Sequence, residues 1–165
     1  MLLPIHRPAT VDVPERLSEL LDLIADVCAS GRKVVFPIHP RTVKNIEAFG
    51  LKAKVDAIQG LVLTEPLDYF AFQKLVATCA FILTDSGGIQ EESTFRRVPC
   101  LTLRPNTERP STVTIGSNEL VPLDMAAVRA AIARIENGSF KKGEVPPLWD
   151  GHATERIVEV LERVL

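Results

Sequence analysis

In the run Phe81-Ile82-Leu83-Thr84-Asp85-Ser86-Gly87-Gly88-Ile89-Gln90-Glu91-Glu92, an apolar stretch breaks into small residues and resumes as a polar helical segment. A strand that ends this way and opens a helix leaves free backbone N–H groups converging on one point. Those donors, with the positive end of the helix dipole, make a site suited to phosphate. Gly87 and Gly88 lack a Cβ, so a ligand can approach the main chain. Ser86 adds a hydroxyl donor. Glu91 and Glu92, about one turn into the helix, are placed to accept from sugar hydroxyls. The bare Asp-Ser-Gly-Gly equally describes an ordinary strand-to-helix turn with an N-cap.

Further candidates sit where apolar runs end. His6 and Arg7 follow the first run, and an imidazole beside an anion is favoured in its charged form. His39 stands among Pro37, Ile38 and Pro40. Arg104 and Arg109 flank a loop, and a guanidinium fork binds two oxygens of a diphosphate at once. Each also has a plain alternative. His6-Arg7 is then a surface pair, His39 a loop residue fixed by prolines, and Arg109 a loop cap. Glu92 is a solvated helix glutamate, and Tyr69 and Phe72 are helix core.

The elements that must hold these residues alternate. Apolar runs predict strands over Leu2–Ile5, Lys33–Ile38, Gly60–Thr64, Ala80–Thr84, Val98–Leu103 and Glu119–Val121. Pro4 suits a strand start or a sheet edge. Helical spacing covers Pro14–Ser30, capped by Asp12, and also Arg41–Phe49, Gly88–Arg96 and Met125–Glu136. Asp68–Thr78 is a helix with Tyr69, Phe72, Leu75 and Val76 on one face. Arg109–Gly116 holds a short helix, and Gly138–Pro147 reads as linker-like. The final helix, His152–Leu165, has Ile157, Val158, Leu161, Val164 and Leu165 as its stripe. Continuous apolar strands alternating with helices imply a Rossmann-like α/β domain, its mostly parallel sheet covered by helices on both faces. Ligands in such folds bind beyond the carboxyl ends of the strands, where strand order reverses. His6, His39, Pro66 and the Asp85–Gly88 turn fall at those ends.

A chain of 165 residues is one domain, 1–165, by its length, and can bury roughly 70% of its unfolded surface. Its net charge of −2, without a basic run and with one Trp and one Tyr, argues against nucleic acid. No stretch approaches the ~20 apolar residues of a membrane span, and the opening residues lack a signal peptide's basic region. Cys28, Cys79 and Cys100 lie within apolar runs at wide spacing, which fits buried thiols in a reducing cytoplasm better than a disulfide frame or a metal site. Nothing calls for a cofactor.

Asp85-Ser86-Gly87-Gly88-Ile89-Gln90-Glu91-Glu92 resembles the nucleotide-sugar signature of the non-hydrolysing UDP-N-acetylglucosamine 2-epimerases. Five more segments match in order: Ile5-His6-Arg7; Phe36-Pro37-Ile38-His39-Pro40; Glu65-Pro66-Leu67-Asp68-Tyr69 with Phe72; Arg104 with Thr107-Glu108-Arg109-Pro110; and Asp150-Gly151-His152-Ala153. The resemblance covers the C-terminal half of such an enzyme, one half of a glycosyltransferase-B-type fold. It implies that His6, the catalytic candidate here, contacts the UDP phosphates together with Ser86, Gly87 and Gly88. Pro66, Leu67 and Phe72 correspond to the uracil region, Glu92 to the carboxylate that holds the ribose, and Arg109 to an arginine that reaches the nucleotide-sugar on domain closure. In some bacterial members the residues matching Arg7 and His39 contact a second UDP-sugar, an allosteric activator.

The family reaction inverts C2 of UDP-N-acetylglucosamine by elimination and re-addition of UDP. The implied partners are UDP, a UDP-sugar and the N-terminal domain or a separate chain bearing it; a homodimer stays open. On this reading the chain holds UDP without turnover, because the family's acids and bases lie in the other domain. The alternatives are a stand-alone binding or interaction module without catalysis and, behind it, a diphosphate-binding domain of unrelated function.

Overall fold

The computed structural model describes residues 1–165, and the short N-terminal segment lies at the middle of its sheet. On one side Leu3 donates to the Val35 carbonyl (2.9 Å) and Val35 to the Met1 carbonyl (3.0 Å). On the other, Leu2 donates to Phe81 (3.1 Å) and Leu83 to Leu2 (3.0 Å). The segment thereby joins a pair, β1 (Val34–Pro37) and β2 (Leu61–Thr64), to a trio, β3 (Ile82–Thr84), β4 (Cys100–Leu103) and β5 (Asn118–Val121). Every pairing is parallel. The order across the sheet is β2, β1, N-terminal segment, β3, β4, β5. Strand order reverses between the N-terminal segment and β3, as in doubly wound α/β folds.

Pro4 is thus in a central strand and not at an edge. Leu2 and Leu3 supply the ladder N–H groups, and the ladder to β3 ends at Pro4, which has no N–H to offer the next carbonyl, Leu83. The Pro4 carbonyl accepts from the Thr84 hydroxyl at 2.8 Å.

Successive strand residues go to opposite faces. Leu3, Phe36, Phe81, Leu83 and Leu101 join α2 (Pro14–Ala29) and α8 (Met125–Glu136) in the larger core. Leu2, Ile82 and Cys100 meet Val76 of α5 (Tyr69–Thr78) and Ile89 of α6 (Gly87–Phe95) on the other side. Both faces being dry explains why these strands read as unbroken apolar runs.

Several local expectations fail for identifiable reasons. Val13, not Asp12, caps α2, with no side-chain bond. Asp12 instead pairs with Arg41 and accepts from Asn45 at 2.9 Å, so a charge partner outcompetes the cap. Tyr69 starts α5 and is 64% exposed, leaving Phe72, Leu75 and Val76 as the packed face. Residues 138–147 are pinned to the body, unlike a linker. Phe140 is buried, Glu144 donates to Ile115 at 2.9 Å, and a Cβ on Gly143 would meet Ser117 N at 2.1 Å. Cys100 is buried, whereas Cys28 and Cys79 are half-buried, and all three are free thiols. Two short helices were not expected, α1 (Pro8–Val11) and α4 (Lys52–Asp56). The remaining helices are α3 (Pro40–Ala48), α7 (Pro110–Thr114) and α9 (Ala153–Val164). Helix α9 buries no residue: Ile157, Val158, Leu161 and Val164 are all exposed. No helix is long and apolar enough to cross a membrane.

Candidate functional site

At the carboxyl ends of the strands, the two halves of the sheet are tied together by Asp85. This carboxylate is fully buried. It accepts from the backbone N–H of His6 (3.2 Å to each oxygen) and of Arg7 (2.8 Å). The Nδ1 of His6 lies 3.5 Å from Asp85 Oδ1, and the ring is half-exposed. The loop after the N-terminal segment and the turn after β3 are therefore one rigid unit at the point where strand order reverses. Asp85 was legible in the sequence only as a polar turn residue; its partners lie 78 and 79 positions away.

Beside this unit is a recess of about 200 Å³. Three neighbouring segments of the sheet lead into prolines that line it: Pro4 in the N-terminal segment, Pro37 at the end of β1 and Pro66 two residues past β2. His6, His39, Leu67 and Phe72 complete most of its wall, with Ile89 from α6. The two imidazole centroids are 6.0 Å apart. The prolines give a stiff, apolar surface without N–H groups, suited to a flat ring. His39 Nδ1 accepts from Arg41 N–H at 3.1 Å and caps α3, which leaves its proton on Nε2. Larger depressions, of about 380 and 410 Å³, lie beside Asp124 and beside Phe140 away from the sequence candidates, and a third, of about 390 Å³ along α3, shares only Pro66 with them.

Next to the recess, α6 begins. Ser86 is its N-cap residue with an extended backbone, but its side chain makes no capping bond and α6 has no acid in its first turn. The hydroxyl and the first N–H groups are not spent within the helix. A Cβ on Gly88 would meet nothing within 4 Å. A Cβ on Gly87 would lie 2.8 Å from Arg109 Nη1 and 3.0 Å from Glu108 Oε1, so the arginine reaches directly over the helix start. Arg109 Nε donates to Glu91 and Nη1 to Glu108, each at 2.6 Å. Glu91 foremost, and Glu108 as well, raises the Arg109 pKa further.

A buried polar network holds the arginine's loop. Gln90 Oε1 accepts from Thr107 Oγ1 (2.7 Å) and from Asn118 Nδ2 (3.0 Å), and Thr107 Oγ1 accepts from Arg109 N–H (3.0 Å). Gln90 and Asn118 are completely buried. Their part escapes sequence reasoning because each reads as an isolated polar residue.

Glu92 lies farther along α6, toward Gln73 and Arg96. Its Oε2 is buried without a hydrogen-bond partner, as is Gln73 Nε2. Burial raises the Glu92 pKa, against the opposing pull of the Gln73 amide and the Arg96 guanidinium. The Arg7 guanidinium is exposed and makes no ion pair. Asp150 and His152 lie at the start of α9, where Asp150 accepts from His152 N–H (3.1 Å) and pairs with Arg156.

The arrangement offers a flat apolar recess, an uncapped helix start under an arginine and, farther along α6, a buried carboxylate oxygen without a hydrogen-bond partner. The family model described as UDP-N-acetylglucosamine 2-epimerase matches residues 1–162. The UDP-N-acetylglucosamine 2-epimerase of Methanocaldococcus jannaschii is 39% identical over 161 residues, 97% of this chain and 43% of that protein. The UDP-2,3-diacetamido-2,3-dideoxy-D-glucuronate 2-epimerase of Pseudomonas aeruginosa is 34% identical over 99% of this chain and 44% of its own length. Among solved structures, the M. jannaschii enzyme in complex with UDP-GlcNAc and UDP superposes with a TM-score of 0.85 at 38% identity, covering 98% of this chain and 44% of that one. An E. coli heptosyltransferase solved with ADP, at 13% identity and a TM-score of 0.58 over 85% of this chain and 46% of that one, shares the fold alone. The chain spans less than half the length of these relatives, and the Rossmann-like unit is one half of a glycosyltransferase-B-type fold. On the match over nearly its whole length, the chain belongs to the UDP-N-acetylglucosamine 2-epimerase family.

Proposed function

We propose that residues 1–165 form a single nucleotide-binding domain, the UDP-holding half of a 2-epimerase acting on a UDP-2-acetamido sugar, with UDP-N-acetylglucosamine as the substrate. The observation that carries this is the contiguity of the proline-walled recess with the uncapped start of α6 under Arg109. The uracil ring lies in the recess against Phe72, Pro66 and Leu67. The diphosphate meets Ser86, Gly87, Gly88, His6 and Arg109. The ribose hydroxyls donate to Glu92, whose unpartnered Oε2 is costly to bury without such a donor.

In this role the domain stabilises UDP as it departs from C1. Fixed N–H groups and cations aimed at the developing charge need no rearrangement when it forms. Inversion at C2 also requires a base and an acid. Glu91 is anchored to Arg109, Glu108 stands over Gly87 at the phosphate end, Asp85 is held by backbone donors, and Glu92 serves the ribose. The acid–base groups therefore come from the part of the relatives' length that this chain does not span. The uncovered apolar face of α9 is where that part packs. His39, which lines the recess, and Arg7, next in sequence to His6, are the candidates for an activator contact. Three unpaired thiols support a cytoplasmic setting.

Calorimetry with UDP and uridine tests the binding assignment, with micromolar-to-millimolar affinity for UDP expected of an open half-site. Absence of heat or chemical-shift change at millimolar UDP would end it. Exchange of the C2 proton with solvent deuterium tests the division of labour. The chain alone should show none over a day by NMR, and exchange at an ordinary enzymatic rate would place the acid–base groups within these residues.

A further inference from the structure

Glu108 touches both arginines of the loop after β4. Its Oε2 lies 3.0 Å from Arg104 Nη2, and its Oε1 accepts from Arg109 Nη1 at 2.6 Å. The same Oε1 lies 3.0 Å from the place a Cβ on Gly87 would take, above the first residue of α6. A carboxylate is thus held between two guanidiniums, over an uncapped helix start, as a phosphoryl group would be. Its own backbone N–H first, then Arg104 and Arg109, holds this carboxyl down at about 2, so it stays charged.

We propose that Glu108 is an internal stand-in for a ligand phosphoryl group and that binding exchanges one anion for the other; the inference rests on the nucleotide reading above. Arg109 has two edges. Nε stays on Glu91, which fixes the plane of the guanidinium, while Nη1 lets go of Glu108 and takes a phosphate oxygen. Arg104 changes partner in the same way. Glu108 thereby sets specificity by charge: an anion carrying one charge gains little over the carboxylate it displaces, whereas a diphosphate offers more charge and a second group for the helix start.

The two carboxylates on Arg109 give the test. Glu108→Gln and Glu91→Gln each remove one negative charge beside the same guanidinium, and both sites are surface positions. Calorimetry with UDP, uridine and inorganic pyrophosphate is run on the 165-residue chain and on both variants, with thermal melts as a folding control. Glu108→Gln should bind UDP and pyrophosphate about 3–10-fold tighter, the scale of one or two exposed ion pairs, and uridine unchanged. Glu91→Gln should bind both diphosphates about 2–5-fold more weakly, because Arg109 loses its anchor. The proposal is overturned if Glu108→Gln binds pyrophosphate no tighter than the parent, or if both variants move the affinity in the same direction, as a bulk field effect would. It is equally overturned if no form binds pyrophosphate. A Glu108→Gln gain on pyrophosphate without any preference for UDP over pyrophosphate would leave the exchange standing and remove the nucleotide reading instead.

Discussion

The Asp85 carboxylate and the Arg7 backbone N–H meet at 2.8 Å across the line where the sheet reverses its order. The adjacent His6 N–H shares the same carboxylate, which has no exposure to water. One side chain thus fixes the distance between the base recess and the phosphate turn.

Replacing that side chain should damage fold and binding together. Asp85→Asn keeps the shape but presents an amide NH2 to one of the two backbone donors. A stability loss of roughly 1–3 kcal/mol is expected, read as a lower urea midpoint at unchanged m-value. UDP and uridine should weaken by similar factors, since both the recess and the turn shift. Unchanged stability would mean that the bonds to His6 and Arg7 are dispensable.

Ser86 and Arg109 should separate binding from folding. The Ser86 hydroxyl does not cap α6, so Ser86→Ala should leave stability within about 0.5 kcal/mol. Ser86→Ala and Arg109→Ala should each weaken UDP by about 10-fold or more while sparing uridine, because charge-assisted donors to phosphate are lost. The Arg109→Ala effect is smaller if domain closure is needed to engage it. Equal losses for UDP and uridine would reassign both residues to the scaffold.

Glu92 should trade stability against binding. Burial raises its pKa in the folded chain. The folded state therefore binds the proton more readily than the unfolded state does, and stability falls as pH rises through that range and the carboxylate must be buried charged. Glu92→Gln removes this cost and should raise Tm at pH 7 by about 1–3 °C. The advantage should shrink as the pH drops below the ordinary glutamate range. The same variant should weaken UDP and uridine alike, since both carry the ribose. A Tm that falls at pH 7 would contradict the first half, and loss confined to UDP the second.

The stripe on α9 should matter only to a partner. Leu161→Asp changes an exposed residue and should shift the stability of the isolated chain by no more than about 0.5 kcal/mol. Added to the complementary N-terminal half, the variant should associate measurably more weakly than the parent in sedimentation or light scattering. Equal association would place the contact elsewhere on the surface.

Much of this is legible in the sequence where one residue type dictates its own surroundings. Phe81, Ile82 and Leu83 are apolar at consecutive positions, which demands cover on both faces, and the sheet supplies it. His6, His39 and Pro66 follow apolar runs, so a parallel sheet brings them to one edge. What escapes is pairing over distance. Asp12 offers a cap or a counter-charge, and Arg41, 29 residues on, decides between them. Nothing near Gln90 in the chain announces Asn118. The stripe of α9 declares an appetite for cover but not what supplies it. Glu108 and Arg109 read as neighbours in a loop, whereas their joint position over Gly87 depends on two separate crossovers.

The central place of the N-terminal segment makes tolerance to trimming sharply lopsided. Taking away Met1–Ile5 would strip both ladders at once and leave a strand pair and a strand trio with no seam between them. Taking away Ala153–Val164 removes no buried residue. Material joined upstream must emerge from the heart of the sheet, whereas the far end hangs free as a handle.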